Sequence, residues 1–222
     1  MGNSEVPIEQ LHTDLLHWWN TNSRNFPWRD TRNPFHILIS EIMLRRTRAE
    51  QVVPVYVEFV SKYPDPQSLK NADAKEIETL LYSLGLAWRV PAFQQIANHL
   101  CQKFDGRVPT QYSDLLSLPG VGDYVASAVC CFAFDQPIMI VDTNTVRVIG
   151  RIYGTKTHAE SRRDKRVREL VKTTLNSKNP RKHNYALLDL AAKVCLPHKP
   201  QCNKCPLSNY CAYHQQLKIT EL

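Results

Sequence analysis

Residues 118–129 read LPGVGDYVASAV. Helical spacing flanks the first five of them, with 113–117 leading in and 123–134 leading out. Two helices joined this closely make a hairpin. Gly120 and Gly122 suit it, because glycine accepts positive φ and lets another backbone come close. The turn opens directly into a helix N-terminus, whose outward N–H groups and positive dipole end suit a phosphate oxygen. Contacts of that kind, through Leu118, Gly120, Val121 and Gly122, are blind to base sequence. An ordinary helix–helix turn is the better explanation of a lone GxG, so the rest of the chain has to decide. Asp123, next in line, reads as a cap for the second helix.

Outward from the hairpin the helical period continues in both directions. Ile8, Leu11, Leu15, Trp18 and Trp19 mark a first amphipathic helix. The loop SRNFPWRDTRNP follows at 23–34, broken by Pro27 and Pro34. Residues 35–44 are apolar nearly all round, which predicts a buried helix. Further helices are expected over 52–63, 74–84 with Gly85 as its C-cap, and 91–104. Beyond the run IMIVD they are expected at 143–153, 161–175 and 185–194. No stretch alternates over a strand's length, and no repeat or low-complexity linker interrupts the chain. The pattern predicts an all-α fold of two helical lobes with a groove between them.

The chain has 222 residues, of which 43% are hydrophobic and 9% aromatic, enough for a core and against disorder. No apolar run is long enough to span a bilayer, so no membrane partner is expected. The start, MGNSEVPIEQ, has neither the basic nor the apolar region of a signal peptide. Gly2 invites myristoylation, but Val6 stands where that signal wants Ser or Thr. An intracellular, soluble protein is expected. The net charge is +7, and the segment from Lys156 to Lys182 holds ten basic residues against three acidic ones. That segment alone balances to the charge of the whole chain. It is either a solvated helix face or a phosphate-facing surface.

Near the end, residues 195–211 read CLPHKPQCNKCPLSNYC, a spacing of C-x6-C-x2-C-x5-C. In a reducing compartment such a group suggests a metal site rather than disulfides. Four thiolates can hold zinc tetrahedrally or a [4Fe–4S] cluster. Cys101, Cys130 and Cys131 sit in apolar helices and read as core residues.

Taken together, LPGVG at 118–122, FPWR at 26–29, SEIMLRRT at 40–47, VDTNTVRV at 141–148, NYALLDLAA at 184–192 and the four cysteines resemble the endonuclease III and MutY superfamily of DNA glycosylases. The resemblance spans nearly the whole chain. It implies a six-helix domain with the helix-hairpin-helix over 30–134, and a second helical domain from 1–29 and 135–222. It implies a [4Fe–4S] cluster on Cys195, Cys202, Cys205 and Cys211, in a loop that carries Lys199 and Lys204 to the DNA backbone. In this family the residue after the second glycine is often basic. Asp123 departs from that and would repel a nearby phosphate.

The resemblance also implies roles. Asp142 matches the catalytic aspartate, which would stabilise positive charge on the sugar. From local sequence alone it is a helix N-cap, and the two roles coexist. Asn144 would hold that carboxylate or the attacking water. Glu41 lies in the apolar helix FHILISEIML, where a carboxylate is expensive unless paired. It is either an i,i+4 partner of Arg45 or the group that bonds the edge of an extruded base. Members that also cut the strand have a lysine where this chain has Tyr124, which points to a monofunctional enzyme leaving an abasic site. Adenine glycosylases of the family show Gln-Gln after the leucine of the SEIML-like helix, whereas a mismatch thymine glycosylase shows the paired arginines found here as Arg45 and Arg46. Arg46 would fill the gap left by the flipped base and face the opposite guanine.

The expected partner is double-stranded DNA carrying a mismatch, met by a monomer. Thymine or uracil opposite guanine is the first expectation. Adenine opposite guanine or oxidised guanine is the alternative, against which stands the end of the chain soon after Cys211, where MutY-type enzymes usually carry a further domain. A non-catalytic DNA binder is the third, and the joint presence of Glu41, Tyr124, Asp142 and Asn144 speaks against it.

Overall fold

In a computed structural model the protein is all-helical, with no β-strand among the described residues, 6–220. Residues 1–5 and 221–222, Gly2 among them, lie outside that range. In chain order the helices are α1 (Ile8–Asn22), α2 (Pro27–Asp30), α3 (Pro34–Met43), α4 (Ala49–Lys62) and α5 (Pro66–Lys70). There follow α6 (Ala74–Tyr82), α7 (Val90–Lys103), α8 (Tyr112–Leu116) and α9 (Asp123–Phe134). The last are α10 (Thr143–Ile152), α11 (Lys165–Thr173), α12 (Pro180–Lys193) and α13 (Ala212–Thr220).

These helices form two compact units, one from the residues up to Arg24 and from Pro137 onward, the other from Asn25–Gln136. The first unit packs α1, α10 and α12 around Leu11, Leu15, Val148, Ile149, Leu187 and Leu190, all essentially fully buried. Asp189, also fully buried, fastens the end of α1 from inside α12. It accepts from Trp19 Nε1 at 2.9 Å and from the Arg24 backbone and Nε at 3.0 and 2.6 Å. The second unit centres on Leu38, Ile39, Met43, Phe59, Phe93 and Phe132, with α3 packed along α9.

Local chemistry sets where the helices begin and end. Asn33 caps α3, its Oδ1 accepting from the backbone N of Phe35 at 2.9 Å and of His36 at 3.2 Å, and Pro34 fills the first position, where no donor is needed. Gly85 closes α6 as expected. It sits at φ +64° and donates to Tyr82 O at 2.9 Å, while Leu86 N reaches back to Leu81 O at 3.2 Å, the paired bonds of a Schellman end.

Helices α2, within the stretch read as a loop, α5 and α13 are not among those expected, and two of the expected helices differ in extent. The stretch 161–175 is broken, because Asp164 starts a new helix by accepting from Arg166 N at 2.8 Å and Val167 N at 3.1 Å. The preceding Ala159–Arg163 tightens into a 3-10 turn. Helix α12 begins five residues early, at Pro180, because Arg181, His183 and Asn184 are buried despite their polarity and hide the apolar period.

Candidate active site

In the first unit the approach to Asp142 is extended, and a side chain holds it. Asn184 is fully buried and accepts from Ile140 N at 2.9 Å while donating to Ile138 O at 3.1 Å and Pro180 O at 2.9 Å. It satisfies backbone groups that no sheet is present to satisfy. Asp142 then caps α10. Its Oδ1 accepts from Asn144 N at 2.9 Å and Thr145 N at 2.8 Å, and Asp142 N in turn donates to Thr145 Oγ1 at 2.9 Å. The second carboxylate oxygen accepts from Asn144 Nδ2 at 2.7 Å. Capping and side-chain positioning thus coexist in one half-buried carboxylate at the positive end of a helix.

Asn144 is held in turn. Arg147 Nη1 donates to its Oδ1 at 3.1 Å, while Nε reaches Cys195 O at 3.0 Å and Nη2 reaches Ala191 O at 3.1 Å. Burial lowers the Arg147 pKa, and the carboxylate of Asp142 pulls the other way. The sequence reading missed Arg147. The signal was present, since it stands three residues after Asn144 and so on the same helix face.

Cys195, Cys202, Cys205 and Cys211 line one pocket, with Arg151 and His214 beside them. Arg151 Nη1 lies 3.3 Å from Cys195 Sγ and 2.7 Å from Leu196 O. Backbone amides add to this, from Leu207 toward Cys205 and from Tyr213 and His214 toward Cys211. Burial pushes the Cys205 thiol up to about 12 and raises Cys202 and Cys211, so thiolates here need a cationic partner. Among the described residues no three His, Cys, Asp or Glu converge as a single metal ion requires. A [4Fe–4S] cluster would instead be held by one thiolate from each of Cys195, Cys202, Cys205 and Cys211. Four sulfurs around one pocket, met by N–H donors, fit that group. Lys199 and Lys204 are exposed on this loop, Lys199 at φ +48°.

In the second unit Glu41 is 2% exposed within α3, and Tyr124 is half-buried in the first turn of α9. The hairpin between α8 and α9 differs in detail from expectation. Gly120 has φ +73°, but Gly122 is extended at φ −108° and occupies the N-cap. A Cβ added at Gly122 would meet nothing within 4 Å. Leu118 and Val121 point their side chains into the core, and their amides are used within the turn, on Leu115 O and Leu118 O. Asp123 does not cap α9. It follows the cap, and its carboxylate takes a hydrogen bond from the hydroxyl of Tyr112.

Arg45 and Arg46 lie beyond the end of α3, not on a helix. Arg45 Nη1 donates to Gly120 O at 3.0 Å rather than back to Glu41, tying this turn to the hairpin. Arg46 sits at φ +65°, in the left-handed region that side chains rarely adopt. The basic segment 156–182 is uneven. Arg163 and Lys172 bond to Glu160 and Glu169 at 2.8 and 2.9 Å, and Arg181 is buried against the Tyr185 ring.

A glycine hairpin opening into a helix, followed by a carboxylate at the start of a later helix, is the arrangement that a protein-family model matches over residues 39–173, that of the "HhH-GPD superfamily base excision DNA repair protein". The chain belongs to this superfamily. Among individual HhH-GPD relatives it is 38% identical to a thymine/uracil-DNA glycosylase of Methanothermobacter thermautotrophicus, over 91% of this chain and 92% of that protein. It is 36% identical to the solved structure of a thermostable thymine-DNA glycosylase, with a TM-score of 0.87 over 94% of this chain and 97% of that one. An adenine DNA glycosylase of Buchnera aphidicola subsp. Baizongia pistaciae is 32% identical over 96% of this chain but only 60% of its own length.

Proposed function

We propose that this protein removes thymine or uracil from G·T and G·U mismatches in double-stranded DNA by hydrolysing the N-glycosidic bond. Water adds its oxygen to C1′, the bond from C1′ to the base nitrogen breaks with its electron pair going to the base, and a proton returns to the departing pyrimidine. Asp142 stabilises the cationic sugar and orients the water, with Asn144 fixing its outer oxygen. Glu41 bonds the edge of the extruded base, and Tyr124 walls the pocket. Because Tyr124 supplies no amine, no Schiff base forms and the product is an abasic site.

Gly120 and Gly122 bring backbone close to phosphate, and Arg46 occupies the gap and meets the orphaned guanine. Cys195, Cys202, Cys205 and Cys211 hold a [4Fe–4S] cluster, which braces the loop bearing Lys199 and Lys204 and takes no part in bond cleavage. The protein acts as a monomer. The observation that carries the choice of base is the Arg45–Arg46 turn after α3, and the likeness to the thymine and thymine/uracil glycosylases supports it.

The test is incision of duplexes holding a single G·T, G·U, A·G or A·oxidised-G pair, with and without alkali. Breakage of the G·T and G·U strands only after alkali, with no adduct trapped by borohydride, is expected. Release of adenine alone, or borohydride trapping by the wild type, would overturn the reading.

A further inference from the structure

Arg89 is a buried arginine with no part in the site as described. It closes the 3-10 segment Ala87–Arg89 and is 6% exposed. Its guanidinium spans two backbone carbonyls, Nη1 on Ile42 O at 3.0 Å and Nη2 on Arg45 O at 3.1 Å. The Ile42 carbonyl is one of the last four of α3, which have no partner inside the helix. The Arg45 carbonyl belongs to the turn beyond. No carboxylate among the described residues pairs with Arg89, so its charge rests on the negative end of a helix dipole. Burial lowers its pKa, and the nearby charges of Arg45 and Arg46 act in the same direction.

Three arginines are therefore held together against their repulsion. Closing a helix end does not require this, since Gly85 closes α6 with backbone bonds alone. What Arg89 adds is a fixed turn. Arg45 is anchored twice, by its side chain on Gly120 and by its carbonyl on Arg89. Arg46 follows in a strained conformation, exposed and without a hydrogen-bond or ion-pair partner among the described residues. Strain of this kind persists only where the surroundings over-determine it. The Trp88 ring, 4.7 Å from the Arg89 guanidinium, steadies the fork.

We propose that Arg89 is the positioning residue for recognition of the opposite base: its fork across Ile42 and Arg45 holds Arg46 where its guanidinium meets the orphaned guanine. This rests on the role given to Arg46 above. A planar fork holds both carbonyls at a fixed separation and direction, whereas a lysine ammonium is a point charge on a flexible stem that fixes neither.

Single-turnover release of uracil opposite guanine and opposite adenine tests it, in wild type, Arg89→Lys, Arg46→Gly and the double variant. Arg89→Lys should lower the guanine-over-adenine rate ratio by about tenfold, the scale of one bidentate base contact, with the rate opposite adenine nearly unchanged. Arg46→Gly should lower the same ratio while slowing release from both duplexes, because Arg46 also fills the gap left by the flipped base, and the ratio in the double variant should fall no further than in Arg46→Gly alone. Equal slowing of both duplexes by Arg89→Lys, or reductions of the ratio that multiply in the double variant, would make Arg89 a helix clamp only. If Arg89→Lys does not fold, melting decides: Arg46→Gly should melt above Arg46→Ala, and an equal or lower melting temperature would overturn the proposal. A wild type that releases no uracil from either duplex would overturn the proposed reaction itself.

Discussion

The side-chain amide of Asn144 donates to Oδ2 of Asp142 at 2.7 Å, on the oxygen that the backbone cap leaves unused. One carboxylate oxygen serves the fold and the other is set by a neighbour. The two roles can therefore be separated by substitution.

Asp142→Asn retains size and an oxygen for the cap, so its melting temperature should stay close to that of wild type. Base release should slow by orders of magnitude, because electrostatic contributions of this kind are worth roughly 3–4 kcal/mol. Single-turnover kinetics beside a melting curve check both halves. Full activity in a folded Asp142→Asn protein would leave the residue as a cap alone.

Arg147 joins Asn144 to the backbone of Cys195 and Ala191. Arg147→Met removes three bonds and leaves two carbonyls without their donor, a loss of about 1–3 kcal/mol for each such group that stays buried. Base release should slow, and proteolysis in the cysteine loop should quicken in the same variant. Asn144→Ala should reproduce the first effect without the second. Limited digestion of the two proteins side by side would show whether the effects separate.

The four cysteines should bind four irons per chain, giving a brown protein with broad visible absorption. Cys205→Ser should reduce iron content and expose the C-terminal loop to protease. Metal analysis of anaerobically purified protein decides, and stoichiometric zinc without iron would refute the cluster.

His183 is fully buried, with neither ring nitrogen hydrogen-bonded among the described residues and His12 edge-on at 5.3 Å. Burial, and secondarily the His12 charge, lowers its pKa to about 3. The folded state resists a proton that the unfolded chain binds at about 6.5. Stability from this group is therefore complete above about pH 6.5 and is lost as pH falls toward 3, by on the order of 4 kcal/mol across that window. Urea unfolding at stepped pH should show the slope, and His183→Leu should flatten it.

The helical period disclosed the fold class, and the family resemblance carried by VDTN and the cysteine spacing pointed to the candidate carboxylate and the four-cysteine pocket. It did not disclose contacts that depend on backbone carbonyls far along the chain. Arg89 reaches the Ile42 carbonyl across 47 positions, and Asn184 reaches the Ile138 carbonyl across 46. Neither leaves a local mark, because a carbonyl is present at every residue. The misread start of α12 has the same origin, since Arg181, His183 and Asn184 are polar by composition yet buried by what they bond or stack against.

Gly122 is extended, exposed and surrounded by empty space where a side chain would begin. Nothing inside the protein asks for glycine there. An alanine at 122 would give a chain that expresses, purifies and melts like its parent, and whose defect would surface only against a nucleic-acid backbone. A library sorted by solubility or heat resistance would pass it as silent, so the phosphate contact proposed for the hairpin would be visible to selection for repair and invisible to selection for folding.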